Sequence, residues 1–189
     1  MTTRTPPRPK RADAVRNRDR VIEAAQAVFA EFGLDASIDD VAERAGVGRA
    51  TIYRSFPTKD HLIAGVAVER LQSFESLATH ALQEPDAGVA FRSVLVTIAE
   101  SQARNRVLLA ALRLEGEEGG LDAARVATSA ALGRLMTAGK RQGSVRPDAT
   151  PEDVRVLLTG LTHSLTVDQQ SDVEVWRRYA NLIADALMR

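Results

Sequence analysis

The stretch GVGRATIYRSF, residues 46–56, carries two arginines, a tyrosine and two hydroxyl side chains on a short predicted helix. It directly follows an apolar pattern that recurs at the spacing of one buried helix face, at Ile38, Val41, Ala42 and Ala45. Gly46 can adopt the left-handed backbone conformation that ends a helix and opens a tight turn. The sequence therefore predicts helices over 37–45 and 48–55, joined by a glycine-containing turn, which is the helix-turn-helix motif.

Helical periodicity continues over the rest of the chain. One apolar face predicts a first helix over 13–32, with Gly33 as its C-cap. No segment shows the alternation of a strand, and further helices are predicted over 58–82, 86–103, 105–114, 121–142, 151–168 and 172–188. We therefore expect an all-α chain of about nine helices. Its parts are a basic disordered arm over 1–12, a three-helix helix-turn-helix domain over 13–57 and a larger helical domain over 58–189.

Composition limits the classes of protein that fit. The chain has 189 residues, of which 44% are hydrophobic, enough for a packed core. It contains no cysteine, which excludes disulfide frameworks, thiolate metal sites and cysteine nucleophiles. Neither a signal peptide nor a membrane-spanning run is visible, so we expect a cytoplasmic protein without membrane contacts.

Positive charge is concentrated at the N-terminus. The formal net charge is zero, but residues 1–20 hold seven Arg or Lys against two Asp, 7 − 2 = +5. A solvated, proline-rich tail and an arm that contacts DNA fit this charge equally well.

The second helix of a helix-turn-helix lies in the major groove of DNA, with its N-terminal residues at the base edges. When Val47 and Ile52 pack inward, the residues left outside are Arg49, Ala50, Thr51, Tyr53 and Arg54. Arginine can bond guanine bidentately, alanine can meet a thymine methyl, and hydroxyl groups suit phosphate oxygens or base edges. Ser37 and Lys59 start helices, where free amide groups favour a phosphate. A half-buried surface role for Tyr53 is the alternative that spacing leaves open.

Residues 15–65 resemble the DNA-binding domain of TetR-family transcriptional regulators. The resemblance is carried by Ala25, Phe29 and Gly33, then by SIDDVAERAGV over 37–47, TIYRSF over 51–56 and KDHL over 59–62. It implies an all-helical homodimer with DNA-binding N-terminal helices, a C-terminal domain for ligand binding and dimerisation, and repression usually relieved by a small molecule. The resemblance also implies that Tyr53 and Lys59 contact phosphates and that Thr51 makes a further contact. Gly48 stands where the family often has Ser or Thr, so the recognition helix lacks a side-chain cap.

The last two predicted helices carry apolar stripes suited to a subunit interface. Thr150 and Ser171 are their expected caps. Together with their copies in a second subunit, these helices would form a four-helix interface through Val154, Leu158, Leu161, Leu165, Trp176, Ala180, Ile183 and Leu187. Gly160 costs about 1 kcal/mol relative to alanine in mid-helix, which a close helix approach would offset. The alternative is that both stripes face the chain's own core.

The C-terminal domain is expected to hold an unidentified small-molecule effector. Candidates to line its pocket are Phe74, Phe91, Leu95, Ile98, Leu112, Arg113, Leu132, Met136 and His163. The apolar candidates fit an ordinary core equally well. The three histidines are too dispersed for a metal site, and no phosphate-loop or nucleophile-elbow pattern is present. The sequence therefore predicts no metal, no cofactor and no enzymatic activity.

Three classes of function remain for a chain with this sequence. The first is a repressor that a small molecule releases from a palindromic operator in double-stranded DNA. The second is a DNA-binding protein of the same fold that a protein partner controls, without a ligand. The third, an enzyme, has no supporting set of residues.

Overall fold

The computed structural model describes residues 10–104, 107–111, 114 and 120–189. Within these ranges the nine helices are α1 (Lys10–Phe32), α2 (Ile38–Ala45), α3 (Arg49–Ser55), α4 (Lys59–Ala81), α5 (Ala87–Arg104), α6 (Val107–Ala111), α7 (Leu121–Arg141), α8 (Pro151–Val167) and α9 (Val173–Leu187). The expected all-α fold is therefore confirmed.

Two helix starts differ from those predicted. Helix α1 begins at Lys10 rather than 13, so 10–12 belong to a helix, and the rest of the predicted arm, 1–9, lies outside the described residues. Helix α9 is capped by Asp172 rather than Ser171, because the Asp172 carboxylate accepts a hydrogen bond from the Glu174 backbone N–H at 3.0 Å. Thr150 caps α8 as expected, in a reciprocal pair with Asp153.

The chain divides into two compact units, Met1–Leu62 and Ile63–Arg189. The division falls inside α4 rather than at the predicted start of the second domain, 58. Leu62, the last residue of the first unit, lies in the first turns of α4 and is fully buried.

The first unit packs α1 against both α2 and α3. Val21, Ala25 and Val28 supply the inner face of α1, and Val41 is the most deeply buried residue of α2. Helix α3 contributes Ile52, which is also fully buried. The orientation of α3 therefore depends on one side chain packed against its two neighbours.

In the second unit, α5 packs on α7, α8 and α9. Its buried face includes Phe91, Leu95 and Ile98, which join Leu135 and Met136 of α7 in one hydrophobic cluster. Burial of side chains of this size supplies most of the unit's stability, at about 1.5 to 3 kcal/mol each.

A second cluster holds α9 against α5. Trp176 is fully buried, packs with Ala99 and Ala103, and donates from Nε1 to the Gln170 carbonyl at 3.0 Å. The Arg177–Glu100 ion pair links the same two helices at the surface.

The apolar stripes predicted for the subunit interface face the chain's own core. Five of these side chains are buried and the other three are half-buried against the same two clusters: Val154, Leu165, Trp176, Ala180 and Leu187, then Leu158, Leu161 and Ile183. The five buried side chains therefore have little surface left for a second subunit, and a dimer seam through Leu158, Leu161 and Ile183 stays a prediction. A spacing of three and four residues marks a buried helix face, but it does not say which partner covers that face.

The connector between α7 and α8 packs closely on α7. Val145 bridges to Met188, and a methyl group added at Gly139 would lie 2.5 Å from Val145 Cγ2. Gly139 is therefore required by the close approach of the connector.

We expect Gly139→Ala to lower the free energy of unfolding by about 1 to 2 kcal/mol, because the overpacking cost exceeds the gain in helix propensity. Urea denaturation measures this change. Gly133→Ala is the matched control, since its methyl group would meet only Pro151 Cγ, at 3.3 Å. A Gly139→Ala variant as stable as the wild type would contradict the tight contact.

Candidate nucleic-acid interface and ligand cavity

A capping box fixes the start of α2. The Ser37 hydroxyl and backbone N–H both donate to Asp40 Oδ2 at 2.7 Å, and the Asp40 N–H donates to Ser37 Oγ at 3.2 Å. These bonds hold the pKa of the Asp40 carboxyl below its usual range. The Ser37 hydroxyl is thus engaged within the chain, and Asp40 already places negative charge at this helix start.

The turn that follows α2 is closed by backbone and side-chain bonds. Gly46 has a φ of 63°, and the Val47 N–H donates to the Ala42 carbonyl at 3.1 Å, as in a Schellman motif. Arg20 Nη2 of α1 donates to the Ala45 carbonyl at 2.6 Å. Sequence reasoning counted Arg20 only within the basic N-terminal segment, whereas the structure gives it a structural role.

Helix α3 presents a polar face opposite Ile52. The exposed face of α3 is formed by Arg49, Ala50, Tyr53 and Arg54, while Thr51 is half-buried. The helix starts after Gly48, which makes no side-chain capping bond, as the sequence indicates. All five predicted contact residues of α3 thus retain some exposure, and four of them are classed as exposed.

Arg49 is held near Tyr53 by its neighbours. Its Nε lies 3.0 Å from Asp39 Oδ1, and its Cζ lies 6.0 Å from the centroid of the Tyr53 ring. Hydrogen bonding to Tyr53, and then the charge of Asp39, raise the pKa of Arg49. The pair is largely exposed and so orients Arg49 more than it stabilises the fold. Sequence reasoning did not assign Asp39 this role.

Lys59 is the first residue of α4 and is half-buried. Thr58 precedes it, and its hydroxyl accepts a hydrogen bond from the His61 backbone N–H at 3.2 Å. The ammonium group and the free amide groups of this helix start both favour an anion.

The second unit contains a cavity of about 390 Å³ between α4, α5, α6, α7 and α8. Three of the predicted pocket residues line it: Phe74, Ile98 and Leu132. Phe91, Leu95 and Met136 do not line this cavity, because they are buried in the adjoining core.

None of the other three predicted pocket residues is seen to line the cavity. His163 is exposed on α8 and does not line the cavity, whereas Leu112 and Arg113 lie outside the described residues.

Sequence reasoning missed the polar residues of the cavity wall. These are Gln102, Arg125, Thr128, Ser129, Arg155, Thr159 and Thr162. The signal for Gln102 is its position, because it continues the buried stripe Phe91, Leu95 and Ile98 at the spacing of one helix face. Val154 and Leu158, predicted for the subunit interface, also line the cavity.

The described part of the chain contains no group of three or more His, Cys, Asp or Glu side chains placed to hold a metal ion. None of the helices in that part is sufficiently long and apolar to cross a membrane.

Comparison with known proteins places both units in one family. Residues 21–66 match the bacterial regulatory proteins of the tetR family, and residues 86–188 match the C-terminal domain of SbtR-like transcriptional regulators. A TetR transcription regulatory protein from Mycobacterium vanbaalenii is 35% identical with a TM-score of 0.66, and the match covers 96% of this chain and 100% of that one.

Two further relatives are also transcriptional regulators. SCO0520, a TetR transcriptional regulator from Streptomyces coelicolor, is 28% identical with a TM-score of 0.66, over 90% of this chain and 98% of that one. The uncharacterized HTH-type transcriptional regulator YvdT of Bacillus subtilis is 37% identical over 67 residues, which is 35% of this chain. That match spans only 31% of the length of YvdT.

The chain therefore belongs to the tetR family of bacterial regulatory proteins, a class of DNA-binding transcriptional regulators. The resemblance over residues 15–65 is confirmed, and the family is a non-enzymatic one.

Ser37→Ala tests the capping box through its dependence on pH. The pKa of Asp40 is lowered in the folded chain, so the bond stabilises at neutral pH and this stabilisation is lost as pH falls through the lowered pKa. We expect Ser37→Ala to lower Tm at neutral pH, and the difference from wild type to shrink as pH falls below about 4, the ordinary pKa of an aspartate. Circular dichroism melts measure it, with the exposed Ser55→Ala as control. A pH-independent difference would contradict the role of the Asp40 charge.

Lys59→Ala and Arg49→Ala separate phosphate contacts from base reading. We expect Lys59→Ala to weaken binding to all duplexes alike and to reduce the salt slope by about one. Arg49→Ala should cost about 1 to 3 kcal/mol at particular base pairs and relax the preference there. Fluorescence anisotropy with operator and scrambled duplexes measures both effects.

Arg44→Ala is the control for charge alone, because Arg44 pairs with Glu31 rather than with a residue of α3. Uniform weakening by Arg49→Ala across all sequences would contradict its assignment to a base edge.

Proposed function

We propose that this chain is a homodimeric repressor that binds a palindromic operator in the cytoplasm and is released by a small molecule. The observation that carries the proposal is the cavity of about 390 Å³ in a chain whose first unit is a helix-turn-helix. A regulator controlled only by a protein partner has no need of such a cavity, so this observation favours the ligand-controlled function.

DNA binding is assigned to the exposed face of α3 together with Thr51, Gly48 and Lys59. Because the Ser37 hydroxyl is bonded to Asp40, Ser37 is proposed to contribute only through the backbone amide groups of the helix that it starts. Arg49 and Arg54 supply the positive charge, Tyr53 and Thr51 supply hydroxyl groups, and Ala50 leaves room for a base edge. In a dimer, two copies of α3 would read half-sites about one helical turn, or 34 to 36 Å, apart or somewhat more.

Ligand control is proposed to act through α4. Thr128 in the cavity wall donates to the Leu71 carbonyl of α4 at 2.9 Å, and Lys59 begins the same helix. A ligand that displaces α7 against α4 would therefore act on the helix that carries a proposed phosphate contact. The coupling is a difference in ligand affinity between the DNA-binding and the released conformations.

The dimer interface is proposed to lie on the outward faces of α8 and α9. Five large apolar side chains are exposed on these two helices: Val156, Leu157, Val167, Tyr179 and Leu182. Gly160 lies on the same face of α8, and a methyl group added to it would meet nothing within 4 Å in this chain. The helix-propensity cost of Gly160 is thus unexplained within one chain, and a helix of a second copy that approaches closely would explain it.

The test of ligand control uses molecules whose binding to the protein is first shown by calorimetry. Operator affinity is then measured by anisotropy in the presence and absence of each binder. At least a tenfold loss of affinity, or about 1.4 kcal/mol, supports the proposal. If molecules that bind the cavity leave operator affinity unchanged, ligand release is contradicted and control by a protein partner is favoured.

Gly160→Leu and Leu182→Glu test the dimer interface. A bulky side chain would block close helix approach, and a buried unpaired charge would oppose association, so both variants should shift the protein toward monomer. Light scattering coupled to size-exclusion chromatography measures the mass. Val126→Glu is the matched control, because Val126 is also an exposed apolar residue but lies on α7. If both interface variants remain dimers, the dimer interface does not lie on the outward faces of α8 and α9.

A further inference from the structure

The polar side chains of the cavity wall differ in whether their hydrogen-bonding groups are used. The Thr128 hydroxyl lies 2.9 Å from both the Leu71 and the Ala124 carbonyl oxygens, between which it shares its single proton. The Thr162 hydroxyl donates to the Leu158 carbonyl at 2.7 Å. These two hydroxyl groups are therefore already hydrogen-bonded to backbone carbonyl groups of the helices that form the wall.

The two arginines of the wall are also partnered. Arg125 donates to Asp122 Oδ1 at 2.8 Å and to the Ala111 carbonyl at 2.9 Å. Arg155 forms an ion pair with Glu152. Each positive charge of the wall thus has a carboxylate beside it, so the wall does not call for a charged ligand.

Gln102 is the exception among the buried polar side chains of the wall, since Ser129 is exposed and Thr159 is half-buried. Gln102 is 8% exposed, lines the cavity, and its Oε1 is buried without a hydrogen-bond partner among the described residues. A buried carbonyl oxygen that accepts no hydrogen bond loses the solvation it would have in water, so such atoms are rare in native proteins and call for an explanation.

Gln102 also occupies a position where an apolar residue would be expected. Gln102 follows Phe91, Leu95 and Ile98 along the buried face of α5, where an apolar side chain would continue the pattern. An amide at this place costs stability in the chain alone, and a ligand that donates to it would recover that cost.

We propose that the effector is a neutral, mainly apolar molecule that donates one hydrogen bond, from a hydroxyl or N–H group, to Gln102 Oε1. This inference rests on the proposed function, since it names the chemistry that the regulatory cavity selects. The apolar wall, with Phe74, Ile98 and Leu132, takes the rest of the molecule. The cavity of about 390 Å³ is near the lower end of the range for small-molecule sites, about 300 to 1,000 Å³, which favours a compact effector.

The test uses two probes of equal size that differ only in the donor. Octanol carries a hydroxyl group, whereas methyl heptyl ether has the same number of heavy atoms and no donor. Calorimetry on the full-length wild-type protein should show octanol binding at least about fivefold tighter, because the ether leaves Oε1 unpaired. Octanoate is ionised at neutral pH and has no donor, so it should not share the advantage of octanol over the ether.

Gln102→Leu should remove the preference for octanol, to below about twofold, while keeping a wall of similar volume. Thr166→Val is the matched control, because Thr166 Oγ1 is also buried without a partner among the described residues but does not line the cavity. This control should retain the wild-type preference.

A second readout does not depend on the probes. Removing an unpaired buried acceptor should raise the Tm of the ligand-free Gln102→Leu protein by at least about 2 °C. A lowered Tm would show that the amide has a structural partner and would overturn the proposal.

The proposal is also overturned if the wild type binds octanol and the ether equally, if it binds neither, or if Gln102→Leu keeps the preference. Failure of the proposed function looks different. In that case octanol binds with the expected Gln102 dependence, yet operator affinity is unchanged by saturating octanol.

Discussion

The burial of Ile52 is the interaction on which the DNA-binding surface depends. A helix of seven residues is too short to be stable in water by itself, so α3 owes its existence to packing against α1 and α2. With Ile52 fully buried, the rotation of α3 about its own axis is fixed, and Arg49 and Tyr53 are exposed. The Gly46 turn and the bond from Arg20 to the Ala45 carbonyl fix the angle at which α3 leaves α2.

The first unit was predictable because its signals are local. The spacing of Ile38, Val41 and Ala45 marks one helix face, and Gly46 marks the end of that helix within the same short segment. The roles of Asp39 and Arg20 were not predictable, because each depends on contacts between different helices. Arg20 in particular is separated from Ala45 by 25 positions, which include about half of α1 and nearly all of α2.

The second unit was predictable only as a set of helices. Trp176 and Val154 lie on apolar stripes that also suit a subunit interface, and only the positions of α5 and α7 decide that they are core. The cavity has the same origin, because it is the space that five helices leave between them. Gln102 was nevertheless visible as a polar residue on an otherwise apolar face of α5, so a buried amide in that position is a signal worth seeking in related chains.

The most direct test of sequence-specific, dimeric DNA reading is selection of bound fragments from sheared genomic DNA by the purified protein at about physiological salt, where phosphate contacts that ignore sequence are weakened. We expect enrichment of a palindrome with half-sites about one helical turn or somewhat more apart. Recovery of fragments with no sequence enriched over bulk DNA would contradict it.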